Sequence, residues 1–231
     1  MKKVFEILNQ MTKNGELENY AIGGAIGAVF YVEPFSTQDI DVFVMMNAEA
    51  TGLVTTIPGW RYLKELGYKE TRGEAIVVEG WPVQFIPASN ALEQEAYLNA
   101  VLLNFEDVPV RVVLAEHLVA IMLKTGRLKD LVRIQMFFAQ EAVDPDILLD
   151  IIQRHGLENK WTNCLIKNLL EIDSLPQIRN LLEMSEINPA RLRLKGGVEN
   201  EADDEGTETD CGSDRGSLSQ SWQEGEGSNS E

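Results

Sequence analysis

The sequence predicts an α+β fold with a helical C-terminal part, and three observations carry that reading. Up to about residue 113, short apolar runs suited to strands are mixed with amphipathic stretches at helical spacing. From Ala115 onward the apolar pattern is helical only. After Pro189 the composition turns to Gly, Ser, Glu and Asp, which cannot bury enough apolar surface to offset the entropy of ordering. The expected organisation is an α+β domain over 1–113, a helical region over 114–190, and a disordered acidic tail over 191–231.

Val4, Phe5, Leu8 and Met11 recur at helical spacing, so the chain opens with an amphipathic helix that Asn14-Gly15 ends. Tyr20-Ala21-Ile22 is a short apolar run stopped by Gly23-Gly24, after which residues 25–31 can start a helix. Asp39 to Met45 reads as a strand whose first carboxylates alternate with apolar residues. Trp60, Leu63 and Leu66 are three apart, and Gly67 suits the end of a short helix. Residues 75–79 and 82–86 flank Gly80-Trp81 and predict a hairpin, with Glu79 opposite Pro82 and Val77 opposite Gln84. Residues 91–103 read as a helix and 110–113 as a strand. Five helices are expected thereafter, at about 115–125, 127–141, 145–155, 158–171 and 175–185; Asp144-Pro145 pairs a capping residue with a proline suited to the first turn.

The chain has 231 residues and a formal net charge of -17, of which the last 36 residues hold -10, leaving -7 on the first 195. A net acidic surface argues against tight non-specific binding to duplex nucleic acid, which needs basic surface, but leaves room for a local basic site. Cys164 and Cys211 cannot form a disulfide framework and read as free thiols in a reducing compartment. The longest uncharged apolar run, Ala21–Val32, is too short to span a bilayer, and no leader segment is visible at the N-terminus. The expectation is a cytoplasmic protein without membrane contact. His117 and His155 lie far apart in sequence, and no Cys/His set has zinc-ligand spacing.

The stretch Ile22–Val44 carries the chemistry. Asp39 and Asp41 are two apart on an expected strand, so both point to one face while Ile40 and Val42 point to the other. Two acids on one face repel unless a cation lies between them, and Mg²⁺ suits carboxylate, phosphate and water oxygens. Gly23-Gly24, before an expected helix, lets a phosphate approach the backbone. Taken singly, a Gly-Gly pair is turn chemistry and an Asp-x-Asp is a solvated strand end; together they form a phosphate cradle beside a metal-holding strand.

Gly23-Gly24 followed by Thr37-Gln38-Asp39-Ile40-Asp41-Val42 resembles the signature of the DNA polymerase β-like nucleotidyltransferases, and most closely the minimal and AbiE-type toxin members. Lys124-Thr-Gly-Arg127-Leu-Lys129-Asp130 resembles a segment in the helical part of such proteins. The resemblance spans roughly residues 20–165 in layout and rests on these few positions. It implies a small mixed nucleotidyltransferase-type sheet, with Asp39 and Asp41 as Mg²⁺ ligands and Gly23, Gly24 and Thr37 at the triphosphate. Lys124, Arg127 and Lys129 would meet phosphate charge, with Asp130 as their partner. It further implies transfer of a nucleoside monophosphate to a hydroxyl of RNA, protein or a small molecule, and an antitoxin-like protein as partner. Aminoglycoside-modifying enzymes share the motif. The plainer reading of 124–130 is a charged helix junction with Arg127 paired to Asp130 at i,i+3.

Two positions depart from the family pattern. Relatives carry a third carboxylate on a neighbouring strand, where this chain has Gln84, and glutamine cannot accept a proton at neutral pH. Relatives also often carry an arginine where Phe35-Ser36 stand. Gln84 therefore supports a rival reading, a non-catalytic nucleotide-binding or interaction protein on the same fold. Glu79 would share the face of Gln84 in the expected hairpin and is a substitute for the missing acid, or else a solvated residue at the hairpin tip.

Overall fold

The computed structural model describes residues 1–34, 37–45 and 59–164. Phe35, Ser36, the end of the helix expected at 158–171, the helix expected at 175–185 and the acidic tail lie outside the described residues.

The described chain is a mixed α+β structure built on a seven-stranded open sheet. Helix α1 (Lys2–Lys13) buries Val4, Phe5, Leu8 and Met11, one stripe of the 3.6-residue period, and stops at Asn14 before Gly15 at φ +77°. Strand β1 (Ala21–Ile22), helix α2 (Gly24–Ala28), strand β2 (Ile40–Val44) and helix α3 (Trp60–Glu65) follow. Next come β3 (Thr71–Arg72), β4 (Ala75–Val78), β5 (Trp81–Pro87), α4 (Ala91–Leu98), β6 (Val101–Phe105) and β7 (Val108–Val112). Four helices close the described chain: α5 (Ala115–Thr125), α6 (Leu128–Ala139), α7 (Pro145–Arg154) and α8 (Glu158–Cys164). Asp144 caps α7, its carboxylate accepting from the Asp146 and Ile147 amides at 2.9 and 3.2 Å, with Pro145 in the first turn.

The strand order is β3-β4-β5-β2-β1-β7-β6. The β2–β5 and β1–β7 pairs are parallel and the rest antiparallel. Side-chain alternation divides the sheet between two cores. Ile40, Val42 and Val44 of β2 join Val83 and Phe85 of β5 in the core covered by α1 and α3. Phe43 points the other way, into the core formed with Leu118, Val119, Phe137, Leu148 and Trp161 of the later helices. Asp41 is one residue from Val42 and two from Phe43, so it faces the layer of α5 and α6.

Three sequence expectations are corrected. The helix expected over 91–103 ends at Leu98, and Val101–Phe105 is a strand paired antiparallel with β7. The run Val101-Leu102-Leu103 is uniformly apolar, so its period is not visible in the residues, although Leu102 is 72% exposed on the edge strand. The β4–β5 hairpin turns at Glu79-Gly80, not at Gly80-Trp81, because Val78 pairs with Trp81 and Val77 with Pro82. Both turn residues have positive φ, 51° and 82°, the twist that a two-residue hairpin loop favours. The shift moves Glu79 off the ladder. The helix expected at 25–31 is five residues long, too short to build up much dipole at its N-terminus.

Candidate functional site

A cleft of about 910 Å³ opens on the face of the sheet that Asp41 shares with Gln84, under the start of α6. Strand β2 delivers Asp41 to it, and Asp39 stands just before the strand on the same side. Asp41 is half-buried, whereas Asp39 is exposed. Burial pushes the Asp41 carboxyl above its ordinary range, the Asp39 charge adds to this, and Arg127, Lys129 and Arg133 oppose it. Thr37 donates its hydroxyl to Asp39 Oδ1 at 3.1 Å and so orients that carboxylate.

The two glycines have different roles. A side chain at Gly23 would run into the Phe43 ring, with Cδ2 2.7 Å from an added Cβ, so this glycine serves packing. A side chain at Gly24 would collide with the Asp41 carboxylate, its Cγ 2.7 Å from the added Cβ, and Gly24 sits at φ +53°. Gly24 therefore lets the backbone lie against Asp41 at the cleft wall. The Gly23 amide also donates to the Asp41 carbonyl at 2.9 Å, which ties the glycine turn to the carboxylate strand.

Gly126 ends α5 in the left-handed conformation, φ 70°, and turns the chain so that Arg127 begins α6 at the cleft. Arg127 Nε and Nη2 donate to Asp130 Oδ2 and Oδ1 at 2.7 and 3.2 Å. Asp130 is fully buried and also accepts from Arg133 Nη1 at 3.4 Å. It underlies the cleft and anchors two guanidinium groups. Lys129 lines the cleft beside them. Lys124 stands elsewhere: it borders a separate cavity of about 170 Å³ with Asn90 and His155.

Gln84 is the direct neighbour of Asp41 in the parallel β2–β5 register. Its amide donates to Glu74 Oε2 at 3.2 Å. Glu79 does not join the cleft; it accepts from the Tyr68 hydroxyl at 2.6 Å and pairs with Lys3 at 3.5 Å, on the α1 side. Sequence reasoning missed Arg133 and Glu74. Arg133 was open to detection by its i,i+3 spacing from Asp130, whereas Glu74 reaches the cleft only through the pairing of β3 with β4.

Among the described residues, no group of three His, Cys, Asp or Glu side chains is placed to hold a metal ion. The two-carboxylate donor set still fits Mg²⁺, which is commonly held by one or two carboxylates with phosphate and water oxygens completing the shell. A cation there would also relieve the repulsion that raises Asp41. No helix among the described residues is long and apolar enough to cross a membrane. Comparison with known proteins gives no matching family model and no matching curated sequence.

Proposed function

We propose that the cleft transfers a nucleoside monophosphate from a nucleoside triphosphate to a hydroxyl, with Mg²⁺ held by Asp39 and Asp41. The observation that supports this most is the joint placement of these two carboxylates, the Gly24 backbone and the Arg127–Lys129 cations around one cleft. When bound, Mg²⁺ supplies charge neutralisation on the phosphates. Gly24 lets its backbone lie against the Asp41 carboxylate at the cleft wall, so that a phosphate bound there would meet both. Arg127, fixed by buried Asp130, presents its guanidinium to charge that develops on the leaving pyrophosphate. Thr37 holds Asp39 in one orientation. Gln84 beside Asp41 favours a second reading, a nucleotide-binding protein without turnover on the same residues.

Both readings require divalent-dependent nucleotide binding. Titration of each nucleoside triphosphate, with Mg²⁺ and with chelator, into the wild type and an Asp39→Ala/Asp41→Ala variant tests this. Binding only by the wild type with Mg²⁺ is expected; equal binding in all four arms removes the metal site. Labelled product from cell extract as acceptor source then separates transfer from binding alone.

A further inference from the structure

The acid that a transfer reaction needs for proton removal is not at Gln84, but an acid is bonded to Gln84. Arg72 pairs with Ala75 across the β3–β4 hairpin, which leaves Gly73-Glu74 as the turn, with Gly73 at φ 60°. That turn carries Glu74 to the wall of the same cleft that holds Asp39 and Asp41. Gln84 Nε2 reaches Glu74 Oε2 at 3.2 Å. Gln84 thus links two places: its backbone is the register neighbour of Asp41, and its amide holds the Glu74 carboxylate.

The other acids of the cleft have other duties. Asp130 is buried under Arg127 and Arg133. Asp39 accepts from Thr37, and Glu93 accepts from the Ser89 amide and hydroxyl at 3.0 and 3.1 Å. Asp41 lies against Gly24. Among the described residues no lysine or arginine pairs with Glu74, and adjacent Arg72 pairs with Glu70 at 3.4 Å instead. Glu74 is exposed, so an incoming hydroxyl can reach it. A carboxylate held by a neutral donor keeps lone pairs free for a proton, whereas one locked by guanidinium groups does not.

We propose that Glu74 is the general base of the reaction and that Gln84 is its positioning residue; this rests on the transfer reading above. Glu74 takes the proton of the acceptor hydroxyl as that oxygen bonds to the α-phosphorus. The bond from the α-phosphorus to the bridging oxygen breaks, pyrophosphate leaves with the electron pair, and Glu74 later returns its proton to water. The glutamine at position 84 is then the donor that holds the base in place.

The test uses the full chain with nucleoside triphosphate, Mg²⁺ and cell extract as acceptor source, reading labelled product and pyrophosphate. Nucleotide affinity is measured separately by calorimetry. Glu74→Gln is expected to lower transfer by about 10²- to 10⁴-fold, the usual worth of a general base. Nucleotide affinity should stay within about threefold, so that the loss falls on the transfer rate and not on binding. Glu74→Asp, which keeps the carboxylate, should recover part of the rate that Glu74→Gln loses, which a merely structural role would not produce. Gln84→Ala should reduce the rate by less than Glu74→Gln does and leave nucleotide affinity within about threefold. A Glu74→Gln variant that transfers at the wild-type rate, while Asp41→Asn abolishes transfer, overturns the role of Glu74 and leaves the transfer reading standing. A wild type that yields no labelled product overturns both.

Discussion

Both histidines of the chain converge on one carboxylate, Glu95 of α4, and this makes a prediction about acid stability. Arg154 gives Glu95 two bonds, Nη1 to Oε2 at 2.6 Å and Nη2 to Oε1 at 2.9 Å. His155 Nε2 lies 2.8 Å from Oε2 and His117 Nε2 3.0 Å from Oε1. One side chain thereby joins α4 to α5 and to the end of α7. Arg154 is the main reason the Glu95 carboxyl falls from its ordinary 4.5 to about 2, with the two histidines assisting against the cost of burial. At about 1.4 kcal/mol per pH unit, that depression bounds the charge's contribution at about 3 kcal/mol. The Arg154 side chain is 45% exposed, so water recovers part of this on deletion, and about 1–2 kcal/mol is the expected cost of Glu95→Gln at neutral pH. Because the folded value is depressed, the contribution is complete above the unfolded value of 4.5 and is lost as pH falls from there towards 2.

His117 acts in the same direction at higher pH. Its ring is buried and its Nδ1 has no partner among the described residues, so protonation would bury a donor with nowhere among them to donate. Burial lowers its proton affinity from the usual 6.5, against the pull of Glu95 and Glu116, so stability should begin to fall as pH drops below 6.5. Urea unfolding of the wild type and Glu95→Gln over a pH series from 7.5 to about 2.5 reads both effects. The difference between the two proteins should be level above about pH 6.5 and close below 4.5. A difference that stays constant down to about pH 2.5, or that is absent at neutral pH, would refute the assignment of this charge as the link between the three helices.

Three further outcomes follow from the cleft. Gly24→Ala places a methyl group against the Asp41 carboxylate at a left-handed φ, so a loss of about 1–2 kcal/mol in urea unfolding and at least about tenfold weaker Mg²⁺–nucleotide binding by calorimetry are expected. Asp130→Asn removes the charge that Arg127 and Arg133 share in a fully buried position; about 1–3 kcal/mol of stability and most of the nucleotide affinity should go, checked by the same two measurements. Gln84→Asp sets a second anion beside Asp41 and removes the donor to Glu74, so Mg²⁺ affinity should rise while transfer falls; a rise in both would contradict the positioning role of Gln84.

What the sequence made legible is what neighbouring residues decide together. The stripe Val4, Phe5, Leu8 and Met11 defines α1 without help from the rest of the chain, and Asp144-Pro145 marks the start of α7 by local capping alone. The Asp39/Asp41 pair is likewise local, because Asp39 stands two residues from Asp41, just before the strand that carries it, and both line the cleft. Misreadings arose where pairing between segments decides. Val101-Leu102-Leu103 becomes a strand because β7 is beside it, and its residues alone do not distinguish strand from helix. The β4–β5 register differs from the expected one because Glu79 is not a ladder residue; it occupies a turn position at positive φ that glycine or asparagine more often fills.

The same distinction applies to the acid that meets Gln84. Reading along the chain, a substitute for a carboxylate at 84 has to be close in sequence or share the expected hairpin face, and Glu79 met that condition. In the folded sheet β5 lies between β2 and β4, so Gln84 has Asp41 on one side and the β3–β4 turn beyond the other. An acid five residues upstream of Glu79, on a turn no local pattern announces, is the one its amide meets. A glutamine at 84 therefore does not leave its side of the cleft without an acid. The Gln84–Glu74 bond runs from strand to turn and links the two positions directly. Substitutions at the two should consequently be non-additive in transfer rate, since either one breaks the same link.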